Sequence, residues 1–443
     1  MPDSVPESAT EAFESGVESP LYLTADIPGI GGQIKQRPED FLVEEIPLYP
    51  PSGSGEHIYI FVEKQGLSTL QLRDAIARHF RVDRRAVGHA GLKDKRAVTR
   101  QVISVHAPGK TPEEFPSFEH DRARVLWVDL HDNQLKRGHL AGNRFSIRVR
   151  AVDPMGVRDA KRALDMLARV GLPNRFGEQR FGYLKNNHLV GRAIILADYQ
   201  RAIDLILSPK PGAPRGSVDA RTAYAAGDFA DAYERMPKVF KVERNLLRAL
   251  SRGDPPERAF RAVDQTAAGF FISSFQSAVF NRVLNDRVRA GTLNRLEPGD
   301  LAFSLKNRTS FEVTPGELET DAEALQERMD RFEISPSGPM WGTTMPRAGG
   351  KVGQREGSAL AQAGVAPKDM ELCEQRDAFP MIGGDRRPLR IPVIDPEVEG
   401  GIDEHGAYIR CAFELPRGSF ATTVMDEVMK TSAQQVVENG DGS

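Results

Sequence analysis

The sequence predicts an α+β protein in which a domain of mixed strands and helices is interrupted by a largely helical segment. Three observations carry this expectation. Strand and helix patterns alternate from about residue 55 to 170, helical patterns dominate residues 201–290, and a strand pattern returns at residues 409–415. A strand so close to the C-terminus points to re-entry into the first domain's sheet, and 443 residues make two domains the default.

The elements follow in order. Residues 1–24 read as an acidic flexible tail with no apolar core for a secretion signal. Residues 33–45 read as an extended entry segment, with Glu39 and Asp40 closing a turn after Pro38. Residues 58–62 form a strand, and Ser68 caps a helix bearing Leu72, Ile76 and Phe80. Gly91 marks a turn, and residues 98–105 and 125–130 are strands. Phe145, Ile147 and Val149 alternate with Arg144, Ser146, Arg148 and Arg150, the clearest strand signal in the chain. Val157, Ala160, Leu164 and Leu167 mark a helix that Gly171 and Pro173 stop. Residues 201–207, 242–251 and 259–290 are helical in period, while 209–215 and 347–358 read as loops. Ile409, Cys411, Phe413 and Leu415 alternate as a strand, Pro416 and Gly418 turn the chain, and Ser419 is placed to cap a closing helix.

Composition narrows the function. No stretch approaches the ~20 apolar residues of a membrane span. Two cysteines exclude a disulfide framework and a four-cysteine zinc site, and make a reducing cytoplasm the simplest expectation. The net charge of -3 hides an uneven distribution. Residues 1–34 hold six acids and residues 431–443 two, neither with Lys or Arg, so residues 35–430 carry a net +5. Local density matters more than the total for a polyanion partner.

The richest chemistry lies at residues 89–101, HAGLKDKRAVTRQ. Asp94 stands between Lys93 and Lys95, with Arg96 and Arg100 close behind. Positive neighbours keep a carboxylate ionised, and the same bases can meet phosphates. A lone anion in such a surface is wasteful unless it has a task; the plain alternative is a solvated turn whose aspartate balances its lysines. Rival chemistries lack their parts. The PGIGGQ loop has no Lys-Ser/Thr ending, no HExxH is present, two cysteines cannot make a deaminase zinc set, and Ser104 and His106 have no evident acid.

The 89–101 segment resembles the signature of the TruD family of tRNA pseudouridine synthases, a GxKDxxAVTxQ-like motif. KQRPEDFLVEE (35–45), GHLAGNRFSIRVR (138–150), NRFGEQRFG (174–182), RRPLRIP (386–392) and ELPRGSFATTV (414–424) resemble further family motifs in the same order. The resemblance implies a pseudouridine synthase catalytic domain with a mixed, mainly antiparallel sheet, in two parts at 25–172 and 386–430. A largely helical family-specific insertion would occupy 173–385, and residues 431–443 a second flexible tail. It implies uridine isomerisation in tRNA at position 13, without metal or organic cofactor and without a membrane. Asp94 would be the catalytic carboxylate, by attack on C1′, attack on the base or abstraction of the 2′ proton. Lys35 would hold Asp94 ionised. Phe145 would stack on the uracil and Asn143 make polar contacts, their alternation placing both on one strand face; the plainer alternative makes Phe145 a core residue in register with Ile147 and Val149. Lys93, Lys95, Arg96, Arg100, Arg175 and Arg180 are the expected RNA contacts. A noncatalytic structured-RNA-binding protein or chaperone on the same scaffold is the competing function.

Overall fold

The computed structural model describes residues 21–109, 117–376 and 382–431, together with Phe13. The chain divides into two compact units, Tyr22–Leu172 with Ile391–Ser443, and Met1–Leu21 with Pro173–Arg390. The expected second tail lies outside the described residues from 432 onward.

The first unit is built on an eight-stranded sheet. Numbered within this unit, its strands are β1 (Phe41–Pro47), β2 (His57–Gln65), β3 (Val87–His89), β4 (Val98–His106), β5 (Ala123–His131), β6 (Leu140–Arg150), β7 (Ile394–Asp403) and β8 (Gly406–Pro416). Their order is β7-β8-β6-β1-β4-β2-β5, with β3 also paired to β4. Only β1 and β4 run parallel; the other neighbours are antiparallel. The β7–β8 hairpin is the C-terminal return, and β8 pairs with β6 along its length. The sequence pattern found β8 but not β7, whose IDPEVEGGID has no apolar alternation because it is an exposed edge strand.

Among the described residues three α-helices accompany the sheet: α1 (Thr69–Phe80), α2 (Val157–Val170) and α3 (Ala421–Met429). Ser68 caps α1 in a capping box with Gln71. Gly171, at φ 100°, stops α2 in a conformation other residues avoid. Ser419 does not cap α3; the N-cap position falls on Phe420, with no side-chain bond. Residues expected in the flexible tail are anchored instead. The N–H groups of Leu23 and Thr24 each donate to the Glu427 carboxylate at 3.0 Å, satisfying a buried anion at the end of α3.

Register across the sheet sorts the residues by face, since adjacent strand residues point to opposite sides. One row runs Lys64, Thr99, Val43, Phe145, Phe413 over β2, β4, β1, β6 and β8. The neighbouring row, on the other face, runs Arg124, Glu63, Arg100, Glu44, Arg144, Glu414, alternating in sign over six strands. Its contacts are ion pairs: Arg100 to Glu63 at 2.8 Å and Glu44 at 2.9 Å, and Arg144 to Glu414 at 2.8 Å. Cross-strand pairs of opposite charge stabilise a sheet and specify its register.

The second unit is mainly helical, centred on the 25-residue helix Gln265–Arg289. It also contains a four-stranded sheet, ordered Asp385–Pro388, Ile334–Met340, Leu301–Ser304, Thr309–Glu312, which the sequence pattern hid. Ile334–Met340 carries two prolines and a glycine, and the others are four residues long. The expected loop at 347–358 is mostly helix, Gly350–Gln362; its three glycines masked a buried stripe of Val352, Glu356, Ala359 and Leu360. Phe13, also placed in the tail by sequence, is buried against Phe275 and His188.

Candidate active site

Asp94 lies in the loop joining β3 to β4. Lys35 reaches it from 59 residues away in sequence. Gln33 and Arg150 exchange backbone hydrogen bonds of 2.9 and 2.8 Å, tying the entry segment to β6. Lys35 then turns the chain in the left-handed region at φ 58°. Its Nζ lies 2.7 Å from Asp94 Oδ2 and 4.6 Å from the centroid of the Phe41 ring. Asp94 Oδ1 accepts a 3.0 Å bond from the Arg96 N–H. The Asp94 carbonyl oxygen accepts from Lys64 Nζ at 3.1 Å, and Lys64 also donates to the Leu67 carbonyl at 2.6 Å.

Burial pushes the Asp94 carboxyl up, but the Lys35 bond, the Arg96 N–H and the charges of Lys35 and Lys64 outweigh it. The carboxyl is held below its ordinary range and is an anion at neutral pH. Lys64 is 1% exposed, and burial lowers its pKa to about 8 against the opposing pull of Asp94. The site is therefore an oriented, still accessible carboxylate between one surface ammonium and one buried ammonium. Such a group can act as a nucleophile or as a base.

Beneath the loop, Lys93 Nζ is buried 2.6 Å from Glu45 Oε2. Glu45 is pushed up by burial, opposed by Lys93. Its other oxygen accepts at 3.4 Å from the Val102 N–H, just past the β1–β4 pairing. The Lys93 N–H donates to Thr69 Oγ1 at 2.9 Å, and Thr69 donates to Gln101 Oε1 at 2.9 Å. These bonds pin the Asp94 loop to the start of α1 and to β4.

The expected RNA contacts fall into different settings. Lys95 and Arg96 are exposed on the Asp94 loop. Lys93 is not at the surface; its charge is spent on Glu45, a correction that follows from the buried pair. Arg100 belongs to the ionic ladder on the opposite sheet face, held by Glu44 and Glu63. Arg175 and Arg180 belong to the second unit. Arg175 donates to Asn285 Oδ1 at 2.7 Å and to the Leu21 carbonyl at 2.9 Å, whereas Arg180 donates to the hydroxyls of Ser273 and Ser277.

Asn143 and Phe145 do share a face, opposite Glu45 and Val43 on β1. Asn143 is half-buried, and its Oδ1 has no hydrogen-bond partner. Phe145 is 6% exposed, with its ring 5.7 Å from Phe413. The ring packs in the core cluster with Val43 and Ile147, the position that the plainer alternative describes.

Lys64 and Glu45 escaped the sequence reading, although each left a signal. Lys64 has the same parity as Ile58, Ile60 and Val62, and Glu45 the same as Phe41 and Val43. A charged residue on the apolar side of a strand must be paired or bonded.

Comparison with known proteins places these observations in one family. A family model described as tRNA pseudouridine synthase D (TruD) matches residues 17–428. A tRNA pseudouridine synthase D of Syntrophotalea carbinolica is 41% identical, covering 93% of this chain and 99% of its own. One from Geobacter metallireducens is 42% identical, covering 92% and 97%. A solved Methanosarcina mazei structure, assigned to tRNA pseudouridine synthase D, matches with a TM-score of 0.83 at 28% identity, covering 97% of this chain and 99% of that one.

Proposed function

The chain belongs to the TruD family of tRNA pseudouridine synthases, and we propose that it isomerises uridine to pseudouridine in tRNA, at position 13 by family resemblance, with Asp94 as its catalytic carboxylate. The observation that carries the assignment of Asp94 is its 2.7 Å contact with Lys35, a residue the fold brings in from a separate motif. The reaction breaks the N1–C1′ bond of uridine, forms a C5–C1′ bond, and moves the C5 proton so that N1 ends protonated. An ionised carboxylate beside the sugar and base serves attack on C1′, attack on the base or removal of the 2′ proton alike. Lys35 keeps that carboxylate ionised, and Lys64 fixes the backbone that carries it. Lys95 and Arg96, both exposed on the Asp94 loop, meet phosphates next to the target, and Asn143 makes polar contacts to the base. No helix among the described residues is long and apolar enough to cross a membrane.

Incubation with a tRNA transcript, followed by mapping of pseudouridine, tests this reading. Wild type forms pseudouridine, while Asp94→Asn binds the transcript with wild-type affinity and makes none. Turnover by Asp94→Asn near the wild-type rate would remove Asp94 from the chemistry. Absence of product from the wild-type protein, with tRNA still bound, would favour the noncatalytic RNA binder.

A further inference from the structure

Among the described residues, several buried arginines are paired with carboxylates. Arg150 pairs with Asp40 and Asp403, Arg287 with Asp300, and Arg386 with Glu356 at 2.7 Å. Arg180 and Arg387, both half-buried in the second unit, differ from these. Among the described residues no carboxylate pairs with either. Arg387 donates to the side chain and carbonyl of Asn174, and Arg180 to Ser273 and Ser277, all neutral acceptors. The two guanidinium groups flank one ring, with Arg387 Cζ 4.2 Å and Arg180 Cζ 5.7 Å from the centroid of Phe176. Arg180 also lies 5.0 Å from the ring of Phe270, which is 40% exposed.

The setting is rigid. The Phe176 N–H and carbonyl are both bonded to Asn281 on the long helix at 2.9 Å, and Asn174 bonds to the carbonyls of Leu389 and Pro388 at 2.9 and 2.8 Å. Burial and the like charges of Arg308 and Arg180 bring the Arg387 pKa down to about 10, which still leaves it charged at neutral pH. Two fixed cations without a counter-charge, half-buried beside an exposed aromatic ring, are an incomplete electrostatic arrangement that an incoming anion completes.

We propose that Arg180 and Arg387, with Phe176 and Phe270, form a subsite of the second unit that takes a phosphodiester of an unpaired RNA segment, with a neighbouring base stacked on Phe270. Planar guanidinium groups match phosphate oxygens in pairs, and an exposed ring beside a cation accepts any base face. This rests on the reading that the substrate is tRNA.

Equilibrium binding of a tRNA transcript to the full chain, across a salt series, tests the subsite. Arg180→Gln and Arg387→Gln each raise Kd on the order of tenfold and reduce the salt slope by about one, as loss of a phosphate contact requires. Phe270→Ala raises Kd without changing the slope, and as an exposed position it serves if Arg387→Gln fails to fold. Arg331→Gln, an exposed arginine paired with Glu327, is the control. Kd values for Arg180→Gln and Phe270→Ala within twofold of the control overturn the proposal. So does protection of wild type by inorganic phosphate in a thermal melt when tRNA affinity does not depend on Arg180, because the site then takes free phosphate alone. Pseudouridine is mapped in the same samples: its absence from the wild-type sample overturns the functional reading, while the Kd values still decide the subsite.

Discussion

Replacing Lys64 with methionine roughly preserves side-chain volume and deletes a buried charge. Burial lowers the lysine from 10.5 to about 8. Holding it protonated at pH 7 therefore costs the native state about 3 kcal/mol, at about 1.36 kcal/mol per pKa unit. Methionine removes that cost but leaves the buried Leu67 carbonyl without its donor, a loss of about 1–3 kcal/mol, while the part-buried Asp94 carbonyl can turn to water. The two effects nearly cancel, so Tm at pH 7 is expected to stay within about 4 °C of wild type. Activity has no such cancellation. The Asp94 loop loses a charged hydrogen bond worth about 1.5–3 kcal/mol, so with Asp94 in the proposed role kcat/KM falls roughly ten- to 150-fold. A pH series separates the terms. The folded pKa of Lys64 lies below its unfolded value, so the unfolded chain binds more protons between pH about 8 and 10.5, and this group's contribution to stability rises with pH across that window. Wild type should gain about 3 kcal/mol on Lys64→Met between pH 7 and 10.5, roughly 6–12 °C in Tm. Paired thermal melts over that range, with single-turnover pseudouridine formation at pH 7, measure both. A Tm difference that does not move with pH, together with full turnover, would refute the reasoning.

Two further perturbations probe the same region. Lys35→Met removes the bond that offsets burial at Asp94, so the Asp94 pKa rises, the acid limb of the pH–rate profile moves to higher pH, and the rate at neutral pH falls about tenfold or more; a profile of unchanged shape and height rejects the pair. Phe145→Ala opens a cavity against Phe413 and Val43 and is expected to cost about 3–5 kcal/mol, read as a Tm loss of roughly 6–20 °C. An unshifted melt with a large loss of kcat/KM would return the ring to the substrate.

Much of the sheet was legible because its strands alternate cleanly. Leu140–Arg150 sits between two strands and buries Phe145, Ile147 and Val149 on one side, so its period survives in the sequence. Exposed Ile394–Asp403 and proline-bearing Ile334–Met340 lack that period, since neither depends on an apolar stripe facing a polar one. Helix Gly350–Gln362 was concealed by glycines that tertiary packing tolerates.

The sequence by itself marked Asp94 as an anion among cations, Lys35 as a basic residue in a separate motif, and the return of the chain to its first sheet. Local pattern and charge suffice for such statements. Only the tertiary structure decided which charges remain available. It buried Lys93 against Glu45, drew Arg100 into the ladder between Glu44 and Glu63, placed Phe145 in the core, and set Lys64 beneath the Asp94 backbone. It also left Arg180 and Arg387 with neutral partners. The physical reason is that a cation's role depends on which carboxylate lies within a few ångströms, and those distances are set by strand register and loop closure between residues far apart in the chain.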